Sequence, residues 1–156
     1  MIQLIKIMTR SLFNKMLLFK IPIAKIAGLK LYHFDQHKAQ IFVKYGWLNQ
    51  NPFRSMFWAV QGMAAEFSTG ILCIDKIQKS GQKISMLVVG LEANFTKKAV
   101  GKIVFTCEQG AELDAVLEKA IATKKGQVLK MRSIGIDEKG DQVAEFFFTW
   151  SFKVKA

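Results

Sequence analysis

The chain has 156 residues, 51% of them hydrophobic, enough for one sizeable core and too apolar for a disordered chain. Lys and Arg number 23 against 12 Asp and Glu, a formal charge of +11; this attracts nucleic acid, anionic lipid or a phosphorylated ligand without choosing among them. Cys73 and Cys107 have neither the spacing of a zinc knuckle nor the density of a disulfide scaffold and read as reduced core thiols.

Met1, Leu4, Ile5, Met8, Leu12 and Met16 recur at helical spacing, with Gln3, Lys6, Arg10 and Asn14 opposite, which predicts an amphipathic helix that Pro22 ends. Lys6, Arg10, Lys15, Lys20 and Lys25 interrupt the apolar runs, so none approaches the ~18 uncharged residues of a membrane span. A cytoplasmic protein is the expectation. Every charge before Asp35 is positive, so contact of this helix with a membrane surface stands as the alternative to docking on its own domain.

Leu29 to Gly46 reads as strand, with a bend at Asp35-Gln-His-Lys38 where the alternation changes phase. His33 and His37 with Asp35 between them imitate a two-His, one-carboxylate metal set. The phase change breaks that geometry, so a solvated turn and no metal site are expected.

The polar turn WLNQNPFRS leads into MFWAVQGMAAEFSTGILCI, residues 56–74. Its length, its Ala and Met content and its few β-branched residues predict a helix. Asn51 before Pro52 is a candidate N-cap and Ser55 a second. Because the segment is apolar nearly all round, the helix should be buried nearly all round.

Past a turn at Lys79-Ser-Gly81 the pattern becomes antiparallel sheet. Ile84 to Phe95 and Lys102 to Glu108 are strands joined through TKKAVG, Ala111 to Thr123 has helical periodicity and fits a short crossover, and Val128 to Ile136 is a further strand. Glu138-Lys-Gly-Asp141 is a hairpin turn into a last strand that places Ala144, Phe146, Phe148, Trp150, Phe152 and Val154 on one face. A wholly apolar helix followed by four long antiparallel strands implies a curved sheet wrapped around that helix, an α+β layout.

From about Ala27 onward the sequence resembles the hotdog-fold acyl-CoA thioesterases, in the Asn51-containing turn, the helix with Glu66 and a trailing Gly70, and the segment ANFTKKAVGKIVFTC. The resemblance implies one hotdog domain over 1–156, with a helical extension at 1–26 and the core at 27–156. It implies a homodimer or dimer of dimers acting on a small-molecule acyl thioester. Coenzyme A would enter as part of the substrate and no separate cofactor is implied.

Glu66 is the one ionisable side chain in residues 56–74, and a carboxylate in apolar surroundings costs several kcal/mol unless it is paired or kept protonated, which raises its pKa toward the range useful for proton transfer. By resemblance it is the general base or nucleophile; the bland alternative is an ion pair across a subunit contact. Asn51 matches the family's Asn before the helix, which positions the water or the acyl carbonyl, although an N-cap has the same appearance. The two lie fifteen positions apart, roughly 22 Å along a continuous helix, so a shared site would have to lie between subunits, as it does in the family.

Phe57-Trp58-Ala59 stands where many relatives carry His-Gly-Gly, which puts two bulky aromatics at the helix start and leaves a backbone amide near Phe57 or Trp58 to polarise the carbonyl. Ser68 and Thr69 are candidates to orient a water, against bonding to the preceding helical carbonyls. Lys97, Lys98 and Lys102 are candidates for the coenzyme A phosphates, against a solvated basic turn. No Gly-x-Ser-x-Gly is present, so a serine hydrolase of the elbow type is not supported.

Three functions follow. The first is a homodimeric hotdog protein that binds and hydrolyses acyl-CoA-like thioesters, with Glu66 as base and Asn51 positioning. The second is a hotdog acyl-binding module left non-catalytic by Phe57 and Trp58. The third, disfavoured because no nucleic-acid motif accompanies the charge, is a basic single-strand binder using Trp47, Phe53, Arg54 and Trp58.

Overall fold

The computed structural model describes residues 9–156; the part of the expected amphipathic helix before Thr9 lies outside the described residues. Helix α1 (Arg10–Lys20) is capped by the Thr9 side chain, which accepts from the Leu12 amide. It docks by Phe13 and Leu17, both fully buried. Ile21 leaves the helical region ahead of Pro22, which opens a short helix α2 (Pro22–Ile26), as the steric demand of proline on its predecessor requires.

Strands β1 (Lys30–Phe34) and β2 (Ala39–Lys44) form an antiparallel hairpin. The expected bend in a single strand is therefore a full reversal, closed by the Asp35 amide donating to the Lys38 carbonyl at 3.0 Å. Asp35 Oδ1 accepts from the His37 and Lys38 amides, and Asp35 Oδ2 meets His33 Nε2 at 2.7 Å. The His33 hydrogen bond, and then those two amides, hold the Asp35 carboxyl well below the usual carboxylate range. This is the work of a turn, and no cluster of three metal-ligating side chains occurs among the described residues.

A 3-10 turn (Trp47–Asn49) precedes the long helix α3 (Trp58–Ser80), and β3 (Ile84–Phe95), β4 (Lys102–Cys107), α4 (Gly110–Thr123), β5 (Gln127–Ile136) and β6 (Gln142–Val154) follow. The six strands form one antiparallel sheet in the order β1-β2-β4-β5-β6-β3. Residues 96–101 thus carry the chain from one sheet edge to the interior, and β3 and β4 are not neighbours. This is the hotdog arrangement, an α+β sheet curved around a central helix.

Strand β6 alternates as expected: Phe146, Phe148, Trp150 and Phe152 are buried on the face toward the core. Trp150 lies against Gly70, where an added Cβ would come within 3.5 Å of the indole, and donates its Nε1 proton to the Thr69 hydroxyl at 2.9 Å. Cys73 and Cys107 are free and buried, and burial raises both thiol pKa values, that of Cys107 to about 11. The Lys76 ammonium meets both oxygens of Asp114 at 2.7 Å, tying α3 to α4.

Gly110 starts α4 hard against the hairpin, its amide donating to the His37 carbonyl at 3.0 Å. A Cβ there would sit 2.7 Å from the His37 Cα and closer still to the Gln36 carbonyl, so Gly110→Ala should cost about 2–3 kcal/mol as overpacked backbone. Gly126→Ala, whose nearest atom would be 3.9 Å away, should change stability little. Thermal melts of the two variants check the contrast.

Candidate active site

The loop before α3 is held by Asn51. Its Oδ1 accepts from the amides of Phe53 and Ser55 at 2.9 and 3.2 Å, its Nδ2 donates to the Ser55 hydroxyl at 3.1 Å, and its own amide donates to the Ser55 carbonyl. Arg54 at the tip has φ 57, a left-handed conformation uncommon outside glycine. The Lys98 ammonium clamps the tip by donating to the Phe53 carbonyl at 3.1 Å. Neither expected cap is one: Phe57 occupies the N-cap position of α3 with no side-chain hydrogen bond. Asn51 and the buried Ser55 instead satisfy each other within an Asx-type turn.

That turn leaves two donors exposed at the start of α3. The Phe57 amide is bound to the Asn49 carbonyl, and the Val60 and Gln61 amides close on the Phe57 carbonyl. Between them, the Trp58 and Ala59 amides have no acceptor among the described residues. They lie at the positive end of a 23-residue helix, where an oxyanion is favoured. Phe57 and Trp58 are 44% and 52% exposed, with the Trp58 ring lying toward Gly62 one turn on.

Beside this helix start is a largely apolar hollow of about 550 Å³ whose wall includes Asn51, Phe57, Trp58, Gln61, Phe95 and Lys98. Gln61, 5% exposed, donates Nε2 to the Met56 carbonyl at 3.2 Å, while its Oε1 has no partner among the described residues. Sequence reasoning passed over Gln61; the signal was an amide one turn into an otherwise apolar helix.

Glu66 lies eight residues after Trp58, about 12 Å along the axis, and does not line the hollow. Because α3 begins at Trp58, the separation inferred from a helix running on from Asn51 is too long, yet one chain still keeps the two features apart. Helix α3 is buried on the sides facing the sheet and α1, where Phe13 packs edge-on to Phe67 at 5.7 Å. It is less covered along the stripe Ala59, Gly62 and Glu66, the first two half-buried and Glu66 exposed. The helix is therefore not covered all round within one chain. The Glu66 carboxylate reaches solvent and makes no hydrogen bond or ion pair among the described residues, and desolvation by the packed apolar helix around it pushes its pKa up.

Other expected site residues are committed elsewhere. Ser68 and Thr69 are fully buried: the Ser68 hydroxyl donates to the Ala65 carbonyl and meets Ser133 at 2.7 Å, and the Thr69 hydroxyl donates to the Glu66 carbonyl while accepting from Trp150. They fasten the helix to the sheet and do not face a ligand. Lys97 lines the hollow but bridges Asp137 at 2.6 Å and Asp141 at 2.7 Å. Those hydrogen bonds raise its pKa and hold Asp137 low, so its charge is spent on the β5–β6 turn. Lys98 has no acidic partner among the described residues, and Lys102 lies over the Tyr32 and Phe42 rings at 4.4 and 4.5 Å, away from the hollow.

The model of a family described as a domain of unknown function, DUF4442, matches residues 9–152. A search of curated proteins gives no match. Solved structures of similar fold include PA5026 of Pseudomonas aeruginosa, a protein of unknown function named a probable thioesterase, at 17% identity and TM-score 0.82, covering 95% of this chain and 97% of that one. Thioesterase HI1161 of Haemophilus influenzae matches at 15% identity and TM-score 0.69, covering 96% and 93%. A Gln-to-Ala mutant of thioesterase SAV0944 of Staphylococcus aureus matches at 16% identity and TM-score 0.61, covering 80% and 93%. The chain has a thioesterase-like hotdog fold.

Glu66 also gives a stability test with a definite sign. A carboxyl whose folded pKa is raised by desolvation opposes folding above that pKa, and the penalty vanishes as pH falls below the ordinary Glu range of about 4.3. Glu66→Gln should therefore have a higher urea midpoint than the wild type at neutral pH, with the difference closing in acid. A lower midpoint would assign Glu66 to an intersubunit ion pair.

Proposed function

The chain belongs to the DUF4442 family, whose model spans residues 9–152, and we propose that it hydrolyses acyl-CoA-like thioesters at a site shared by two subunits. The observation that carries this reading is a bare carboxylate, Glu66, eight residues beyond two unpartnered amides, Trp58 and Ala59, on one helix. A carbonyl oxygen bound at the amides lies about 12 Å along the axis from the Glu66 of its own chain, too far for a water bridge. Antiparallel packing of two α3 helices about a two-fold axis brings the amides of one chain to the Glu66 of the other.

In this reading Glu66 takes a proton from water as the water oxygen bonds to the thioester carbon. The carbonyl oxygen gains the negative charge and is held by the Trp58 and Ala59 amides. Collapse of the intermediate breaks the C–S bond, and the proton held by Glu66 passes to the leaving thiolate, giving acid and thiol. Its raised pKa suits it to both transfers. Asn51 acts through the loop that presents the amides, Gln61 Oε1 accepts an N–H of the substrate arm, and Lys98 meets a phosphate of coenzyme A. Two SAV0944 structures, with a Gln and a Glu fifteen positions apart replaced in turn, support attention to the Asn51 and Glu66 spacing.

The second subunit also accounts for edge strand β3, which among the described residues pairs only with β6 and exposes Leu87, Val89 and Leu91. Joining two such edges removes an unpaired strand and covers the less covered stripe of α3. Sedimentation at micromolar concentration should give a dimer or larger.

Turnover of a panel of acyl-CoAs is the direct test. Glu66→Gln should slow it by ~10²-fold or more without unfolding, and the wild-type rate should rise with pH through an apparent pKa above that of an ordinary Glu. Tight binding with no turnover in the wild type would leave the acyl-binding module. Refolding Asn51→Ala together with Glu66→Ala should produce mixed dimers with one intact site. Random mixing makes about half the dimers mixed, so roughly a quarter of wild-type activity returns in a two-site dimer. No recovery with mixed dimers present would end the shared-site reading. Lys98→Met should raise KM for coenzyme A thioesters while leaving pantetheine thioesters unaffected, and Lys97→Met, its charge already spent on Asp137 and Asp141, should change neither.

A further inference from the structure

Helices α1 and α2 dock with half their apolar side chains. Phe13, Leu17, Ala24 and Ala27 face the core, whereas Leu18, Phe19, Ile21, Ile23 and Ile26 are exposed, Phe19 by 76%, Ile23 by 64% and Ile26 by 63%. At 100° per residue, Lys15, Leu18 and Phe19 lie on the side of α1 opposite Phe13 and Leu17, and Ile23 and Ile26 are neighbours on the outer side of α2. Five large apolar groups within nine residues, crowded onto one corner, form the kind of patch that marks an interaction site.

What borders the patch selects the partner. Arg10, Asn14 and Leu18 follow one another at intervals of four along α1. Beside Arg10 and Asn14 opens a hollow of about 450 Å³ lined also by Lys25, Lys30, Tyr32 and Lys102. Four cations and no carboxylate line it. Lys25 donates to Asn14 Oδ1 at 3.3 Å, Arg10 to the Tyr32 carbonyl at 3.3 Å, and Lys102 sits over Tyr32 and Phe42, so the cationic heads are held at the rim and not paired with acids. Lys15 and Lys20 flank the apolar groups from α1 and have no acidic partner among the described residues. No acidic residue precedes Asp35 in the sequence.

We propose that this corner is a docking surface for an anionic phospholipid bilayer. Phe19, Ile21, Ile23 and Ile26 enter the boundary between headgroups and acyl chains, and the hollow of Arg10, Lys25, Lys30 and Lys102 takes lipid phosphate. No helix among the described residues is long and apolar enough to cross a membrane, so the contact is one of lying on the surface. A second copy docked here by two-fold symmetry would set these cations against themselves, whereas a bilayer rich in anionic headgroups attracts each of them. The inference does not depend on the thioester reading.

Co-sedimentation of the full chain with phosphatidylcholine vesicles, with and without phosphatidylglycerol, tests it. Binding should be strong only with phosphatidylglycerol and should weaken as salt is raised. Phe19→Ser combined with Ile23→Ser should lower the partition coefficient ~10-fold or more, and Lys30→Gln and Lys102→Gln should each lower it ~5-fold. Circular dichroism melts should stay at wild-type values, because these side chains are not among the buried core. Equal binding to both vesicle types, wild-type binding by Phe19→Ser with Ile23→Ser, or loss of oligomer in that variant would each overturn the proposal, the last in favour of a second copy. Release from vesicles by free glycerol phosphate as readily as by salt would overturn it in favour of a soluble phosphate ligand.

Discussion

A 23-residue helix that is apolar on nearly every side has to be covered, and one sheet covers only the side it faces. The rest of the architecture answers that demand. The sheet supplies β6, whose Trp150 closes on Gly70 and binds Thr69. Helix α1 supplies Phe13 against Phe67, and α4 fastens the far end through Lys76 and Asp114. One stripe, Ala59 to Glu66, is less covered, and it carries the single carboxylate in the apolar part of the helix. The incomplete covering and the candidate chemistry are thus one feature: a fully wrapped helix would have forced Glu66 to pair or to disappear.

Charge follows the same economy. The composition shows a surplus of cations, but only the fold shows which are occupied. Lys76, Lys79, Lys97, Lys130 and Arg132 each meet a carboxylate, within α3, between α3 and α4, at the β5–β6 turn or between strands. Among the described residues the unpaired cations are spread over the surface, and those of the N-terminal corner share a hollow lined by no carboxylate. A net charge describes attraction in general; the hollow of Arg10, Lys25, Lys30 and Lys102, lined by no carboxylate, gives it a place.

Much of the fold was legible because it rests on periodicity. The β6 alternation and the unbroken apolar run of α3 each follow from burial on known faces, so both were read from the letters. The hairpin at Asp35 was read as a bend, because a phase change marks a break in alternation without telling whether the chain turns back. Asn51 was misplaced for a related reason: Asn-Pro serves a helix start and a tight turn equally well, and only the hydrogen bonds from Phe53 and Ser55 decide between them. The fate of Lys97 depends on partners 40 and 44 residues distant, which no local pattern reports. Glu66 stood out because its misfit with its neighbours is itself local.

The aromatic pair at the start of α3 shows how residue type and backbone chemistry separate. A glycine there removes bulk near the amide, yet the donor is the backbone N–H, which every residue but proline carries. Phe57 has φ −59 and ψ 133, an ordinary extended conformation that needs no glycine. The two rings meet edge-on at 6.0 Å, and the Trp58 and Ala59 amides are left without an acceptor among the described residues. The rings add apolar surface to the wall of the hollow, while the electrostatics there remain those of a helix start.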